Sequence, residues 1–190
     1  YHEGIKYLKD KFHREIYLNK NIIINSQVGQ NLQTWRESND SFESYSFDQS
    51  KSGGVINDLS HELDFISHIT NKTFRYSSNT LKSNFFNKNL KDIALVHAIS
   101  KDKAVVVNFE LNCISHSFYR SINIHTINTT YSLNLISGEY AEYSFGEIKV
   151  KKKFNVDRDI RYQNLWKDLI EGYTLLPSYS ESVKFLQEIE

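Results

Sequence analysis

Residues 105–113 read VVVNFELNC, and every second side chain is apolar. The odd-numbered side chains share one face, whereas Asn108, Glu110 and Asn112 lie on the other. A repeat of two residues is typical of a β-strand that buries one face and leaves the other polar. This stretch therefore predicts a strand inside a sheet that is covered on one side.

The same pattern continues downstream, with Gly138 and Gly146 at positions where turns are needed. The predicted strands lie around Phe118–Thr126, Tyr131–Ile136, Glu139–Tyr143 and Glu147–Lys151. Strands joined by such short connections run antiparallel.

Apolar residues at helical spacing predict helices on both sides of these strands. The predicted elements are a helix from Gly4 to about His13, a strand over Ile22–Val28, a helix from Gly53 to about Ile69, a helix over Tyr162–Tyr173 and, after Pro177, a helix over Ser178–Ile189. Together they predict one α/β (α+β) domain with a large, mostly antiparallel sheet and helices packed on one face.

The overall charge excludes several partners. The 190 residues carry 23 basic and 23 acidic side chains, so no net field attracts nucleic acid or an anionic membrane. The basic run at 149–153 alternates along a strand and predicts a solvated strand face. Cys113 is the only cysteine, and no apolar run is long enough to cross a bilayer, so we expect a cytoplasmic protein. The absence of methionine favours a fragment of a longer protein.

A polar and aromatic loop over residues 29–52 leads to a glycine pair and a helix with two different stripes. Its apolar stripe contains Val55, Leu59 and Leu63, which predicts burial against the sheet. Asp58 and His61 lie three residues apart on a second stripe, where side chains of a continuous helix are neighbours. A carboxylate beside an imidazole is suited to moving a proton, although such a pair is also common on ordinary surfaces.

Residues 28–64 resemble the Gfo/Idh/MocA oxidoreductases, in the branch associated with nucleotide-sugar and surface-polysaccharide synthesis. The chain keeps VGQ at 28–30, Leu32, Trp35, Arg36, Asp40, SYS at 44–46, GGV at 53–55, DLSHE at 58–62 and Asp64. Ser52 stands where the family has a third glycine. Ser41 and Phe42 replace a Tyr-Arg pair, and the loss of that arginine indicates a different substrate preference.

The resemblance implies an NAD(P)-dependent dehydrogenase that acts on a sugar or nucleotide-sugar. It assigns His61 as the base that takes the hydroxyl proton and Asp58 as its partner, with substrate contacts from Gln30, Trp35, Arg36, Tyr45 and Asn57. It also implies that residues 1–190 form the C-terminal substrate domain and that NAD or NADP is bound mainly by an N-terminal domain absent from this sequence. The seven glycines form no Gly-x-Gly-x-x-Gly and the family's Glu-Lys-Pro is absent, so we expect the fragment alone to be inactive.

Other interpretations remain open from the sequence. Trp35 and Tyr45 either line a sugar site or anchor the loop, and Arg120 is predicted to form a structural ion pair. The histidines at 97, 116 and 125 lack partners at metal-ligand spacing, so we expect no metal site. A non-catalytic binding or oligomerisation module is the main alternative, because the family's broad sheet face often forms a homo-oligomer. A hydrolase with a retained cofactor is a more distant one.

Overall fold

A computed structural model of the chain describes residues 2–19, 21–35, 45–51, 53–84 and 89–172. Within these ranges the apolar alternation forms one eight-stranded sheet in the order β2-β3-β4-β1-β5-β6-β7-β8. The strands are β1 (Ile22–Gly29), β2 (Phe74–Leu81), β3 (Ile93–Ser100), β4 (Val105–Asn112), β5 (Tyr119–His125), β6 (Thr130–Asn134), β7 (Glu139–Ser144) and β8 (Glu147–Lys153).

Neighbouring strands are antiparallel except for β1 and β4, which pair in parallel from Ile22 opposite Val105. Three of the described α-helices and the antiparallel β2–β3 pair lie between β1 and β4 in the chain, so this connection is long enough to return the chain in the same direction. The predicted class, a large and mostly antiparallel sheet with helices, is confirmed. The sequence pattern does not predict strands β2 and β3 individually.

The helices are α1 (Glu3–Lys11), α2 (Leu32–Trp35), α3 (Val55–Asp58), α4 (His61–Thr70) and α5 (Arg158–Ile170). A π-helical turn over Phe12–Ile16 and a 3₁₀ turn over Tyr17–Asn19 extend α1, and further 3₁₀ turns lie at Tyr45–Phe47 and Gln49–Lys51. Helix α5 begins earlier than predicted because the Asp157 side chain caps the backbone amides of Asp159 and Ile160. The predicted helix over Ser178–Ile189 lies outside the described residues.

One face of the sheet is buried under α1 and α4. Leu8 of α1 and Ile66 of α4 are almost fully buried in the same apolar core as Ile24 and Val107 of the sheet. The Tyr7 ring lies 5.0 Å from the ring of Tyr140 in β7 and so joins α1 to the far half of the sheet. The opposite face carries polar side chains, which include a hydrogen-bonded pair of asparagines at positions 25 and 108. None of the described helices is both long and apolar enough to span a membrane.

The predicted helix from Gly53 to Ile69 is wrong in one respect, because it breaks at Leu59. Leu59 has φ −112° and ψ 15°, and the amides of Glu62 and Leu63 bond the carbonyls only three residues earlier. The Ser60 hydroxyl donates to the carbonyl of Asn57, so this carbonyl has a hydrogen-bond partner at the break. Two helices therefore replace one, and positions before and after Leu59 no longer follow a single helical spacing.

Helix α1 begins at a buried histidine that stays neutral. The His2 Nδ1 accepts the amide of Gly4 at 3.1 Å, and Nε2 lies 3.3 Å from the carbonyl of Leu135. With a single proton on the ring, at Nε2, both ring nitrogens therefore have a hydrogen-bond partner. Burial lowers the pKa of His2, and the charges of Arg161 and Arg120 lower it further.

We expect this histidine to weaken the fold in acid. The unfolded chain binds a proton at His2 as the pH falls through about 6.5, whereas the folded chain resists it until the lower folded pKa, so stability falls with a slope of at most about 1.4 kcal/mol per pH unit. His2→Asn keeps a capping side chain and removes this proton. Urea unfolding at about pH 7.5 and about pH 5.5 should show a smaller acid loss in His2→Asn than in the wild type. Equal losses in both proteins would contradict the assignment.

Candidate functional site

The glycine pair lets the loop fold tightly against the start of α3. The Gly53 amide donates to the Asp48 carbonyl at 2.9 Å, and a Cβ at Gly53 would lie 2.2 Å from the carbonyl oxygen of Tyr45. Gly54 has φ 117°, a conformation that other residues rarely adopt. The sequence Gly53-Gly54 therefore fixes the 3₁₀ turn of Tyr45 beside α3.

Gly53→Ala should destabilise the chain by about 1–3 kcal/mol, because backbone oxygens cannot move as flexible side chains do. Gly146→Ala is the matched control, since its Cβ would meet no atom within 4 Å and only its positive φ adds strain. Thermal unfolding followed by circular dichroism measures both. A loss at Gly53 no larger than the loss at Gly146 would show that the close approach is not needed.

Asp58, at the end of α3, points toward the loop and the end of β4. Its Oδ1 accepts the hydroxyl of the buried Ser46 at 3.2 Å. Burial raises the pKa of the Cys113 thiol to about 12, and the nearby negative charges of Asp58 and Asp92 add to this effect. Asp58 is thus part of a polar group beneath the aromatic loop, next to an inert thiol.

His61, the first residue of α4, is half exposed, and its Nε2 lies 3.0 Å from Oε1 of Glu62. A carboxylate is an acceptor, so this close contact favours, without an aligned hydrogen bond, the neutral tautomer with the proton on Nε2. The other nitrogen, Nδ1, then has a free lone pair. This arrangement suits His61 to accept a proton at Nδ1 from a group that reaches its exposed side.

Glu62 connects His61 to the sheet. Its side chain is fully buried, and its Oε1 lies 2.6 Å from Nη2 of Arg120 in β5. These contacts are close charge pairs, not well-aligned hydrogen bonds, and Oε2 has no hydrogen-bond partner among the described residues. The predicted ion pair of Arg120 is confirmed, and the guanidinium also lies 5.6 Å from the ring centre of Phe65.

The outer face of α4 carries a second acidic group between two histidines. Asp64 keeps exposed surface, yet partial desolvation raises its pKa, an effect that His68 and His61 oppose. The Lys9 Nζ lies 3.2 Å from Nε2 of His68. Burial and then the Lys9 charge lower the pKa of His68. The face is therefore His61-Asp64-His68, whereas Phe65 packs inward.

The helix break removes the continuous spacing from which the Asp58–His61 pair is predicted, and that pair stays a prediction. Asp58 accepts the Ser46 hydroxyl, and Glu62 and Asp64 are acidic neighbours of His61. The carboxylate 3.0 Å from His61 Nε2 belongs to the next residue, Glu62, which spacing on a continuous helix does not indicate. The only signal in the sequence was a glutamate placed among apolar residues on the buried side of α4.

The substrate-binding candidates are spread around this region. Gln30 is half-buried directly after β1, with its amide on the Asn112 carbonyl, and Tyr45 is half exposed in its 3₁₀ turn. Asn57 lines a cavity of about 440 Å³ together with the glycine pair and Lys91, and His61 is not among its lining residues. Trp35 ends α2, but its side chain and the whole of Arg36 lie outside the described residues.

The glycine pattern of the sequence does not fit a dinucleotide, and the described residues bring together no metal-ligand set. A pyrophosphate cradle needs closely spaced glycines at a strand-to-helix turn, and the glycines at 4, 29, 53, 54, 138, 146 and 172 do not supply one. Within the described residues no three His, Cys, Asp or Glu side chains come together as metal ligands.

Comparison with known proteins gives matches in structure only. No family model and no curated sequence matches the chain. A Thermotoga maritima protein assigned as an oxidoreductase aligns with TM-score 0.72 at 13% identity, over 98% of this chain and 56% of that one. Levoglucosan dehydrogenase, in complex with NADH and levoglucosan, aligns with TM-score 0.72 at 14% identity, over 96% of this chain and 58% of its own.

A third similar structure is a super-repressor mutant of Gal80p from Saccharomyces cerevisiae, with TM-score 0.68 and 14% identity over 93% of this chain and 51% of that one. The chain thus spans somewhat more than half the length of these neighbours. At such identities the likeness establishes a shared fold. The fold occurs both in oxidoreductases and in a repressor.

Proposed function

We propose that this chain is the substrate-binding domain of a Gfo/Idh/MocA-type oxidoreductase that acts on a hydroxyl or ketone of a sugar or nucleotide-sugar. The motif at residues 53–64 and the likeness to levoglucosan dehydrogenase both support this function. The observation that carries it is the half-exposed His61, whose Nε2 lies 3.0 Å from Oε1 of Glu62. The motif's histidine is thereby left with a proton-accepting nitrogen at the surface.

In this proposal His61 Nδ1 accepts the proton of the sugar hydroxyl. The imidazolium that forms is stabilised by Glu62 at 3.0 Å, and Arg120 balances the carboxylate when the imidazole is neutral. Asp58 serves as a second polar group, held by Ser46 on the loop side of the site. Gln30, Trp35, Arg36, Tyr45 and Asn57 form the substrate wall, where aromatic rings suit the apolar face of a pyranose.

NAD or NADP is assigned to a part of the protein other than residues 1–190. A nicotinamide cofactor would supply the hydride acceptor, and these residues offer no pyrophosphate cradle. The neighbour complexed with NADH is longer than this chain, which covers 58% of it. In this proposal residues 1–190 bind the sugar and move its proton.

A non-catalytic binding or oligomerisation module is the second candidate, and the Gal80p neighbour favours it. The open sheet face supports it as well, because Ile23, Ile99 and Val106 lie side by side across β1, β3 and β4 and are 38–49% exposed. Such a row is suited to pack against a second copy.

Turnover separates the two candidates. The full-length protein should reduce NAD or NADP with a sugar or UDP-sugar, as followed by nicotinamide absorbance. Loss of activity when residues 53–64 are replaced would agree with the proposal. If the full-length protein binds neither cofactor nor sugar, and instead dimerises through the open sheet face, the module is the correct assignment.

A further inference from the structure

A second cavity, of about 350 Å³, lies between the start of α1, β5 and α5. Its lining includes His2, Arg120, Leu135, Arg158, Arg161 and Tyr162. Three arginines from two elements that are distant in the chain therefore meet at one space. Its lining, within the described part of the chain, includes none of the proposed substrate-wall residues.

The cavity is strongly positive. Among the described residues, Glu62 is the carboxylate that pairs with these arginines, and it contacts Arg120. Arg158 and Arg161 form no ion pair with any residue in the described ranges. His2 stays neutral because its pKa is lowered by burial. Three guanidinium groups against one carboxylate leave a net charge of about +2.

Two of the lining arginines also have a polar atom without a partner in the described part of the chain. The Nε atoms of Arg120 and Arg161 are buried and have no hydrogen-bond partner among the described residues. A buried donor on a charged group costs free energy unless an acceptor satisfies it. The Arg158 guanidinium lies 5.5 Å from the ring centre of Tyr162, which holds it beside the cavity. The site is therefore arranged for an anion that accepts several hydrogen bonds.

We propose that this cavity binds the phosphate group of a small phosphorylated molecule. A phosphate dianion matches the net charge, and its oxygens accept from several guanidinium groups at once. The cavity is larger than a phosphate ion, and Leu135 and Leu165 offer an apolar wall for the organic part of the ligand. This binding does not require the proposed dehydrogenase activity.

The test is calorimetric titration of the full chain with inorganic phosphate and with glucose 1-phosphate at constant ionic strength. We expect one saturable site. Arg161→Gln and Arg158→Gln should each weaken binding roughly tenfold to a hundredfold, because each removes a charged hydrogen-bond donor. Lys167→Gln is the matched control, because it removes a positive charge from α5 outside the cavity.

Three outcomes would overturn the proposal: no saturable binding, an equal loss in Lys167→Gln, or tighter binding of glucuronate than of glucose 1-phosphate. The last result would identify a carboxylate site. Arg158 is exposed, so its variant carries the comparison if Arg161→Gln fails to fold, as judged by circular dichroism.

Discussion

His61→Asn should lower kcat by about 10²–10⁴-fold in the full-length protein, which is the usual contribution of a positioned general base. In the proposed site the half-exposed imidazole offers Nδ1 to the substrate while Glu62 lies beside Nε2. Asparagine is close in size but cannot take up the proton. Steady-state kinetics with the best sugar substrate gives kcat, and equilibrium binding of the sugar should change little.

His68→Asn is the matched control for this prediction. It lies two turns further along α4, on the same outer face, and contacts Lys9 instead of Glu62. We expect its kcat to stay within about threefold of the wild type, as for a residue outside the reacting groups. Unchanged turnover in His61→Asn, or equal losses in both variants, would remove His61 from the proposed chemistry.

The strands were predictable because each one has its own alternation of apolar and polar residues. β4, β5 and β7 were assigned to within one or two residues, since alternation is a local property of the chain. The parallel pairing of β1 with β4 was not predictable in this way. It depends on which strands meet after a long crossover, and the apolar faces of Ile24 and Val107 are compatible with several partners.

The break between α3 and α4 left no mark in the apolar pattern. Val55, Leu59 and Leu63 are all buried as predicted, because they face the core on either side of the break. The break occurs at Leu59 and Ser60, so it lacks the glycine or proline that commonly marks a helix end in a sequence. The predicted Asp58–His61 pair is based on a continuous helix and stays a prediction, and Glu62 is a neighbour of His61 that this spacing does not indicate.

The Glu62–Arg120 ion pair could be predicted only in part from the sequence. Arg120 was expected to form an ion pair, and a glutamate on the buried side of a helix requires a partner. Nothing in the local sequence connects α4 to β5, because the sheet order brings them together. The pair is the feature of the site that depends most on tertiary structure.

That dependence predicts a large loss of stability in Arg120→Met, about 3–5 kcal/mol in the free energy of unfolding. The change keeps a long apolar side chain against Phe65 but leaves the Glu62 carboxylate buried without its closest cation. His61 compensates only in part, because half of its side chain is in solvent. Urea unfolding followed by circular dichroism measures the loss.

Glu62→Gln is the comparison variant for Arg120→Met, because it removes the carboxylate and keeps the arginine. Arg120 is 24% exposed and lines a cavity, so its charge stays partly solvated when the carboxylate is removed. Glu62→Gln should therefore cost less than Arg120→Met. The double variant Glu62→Leu/Arg120→Met should recover most of the loss, because a buried ion pair can be replaced by apolar side chains at little cost. If Arg120→Met lost less than about 1 kcal/mol, Glu62 would not depend on Arg120 for its charge.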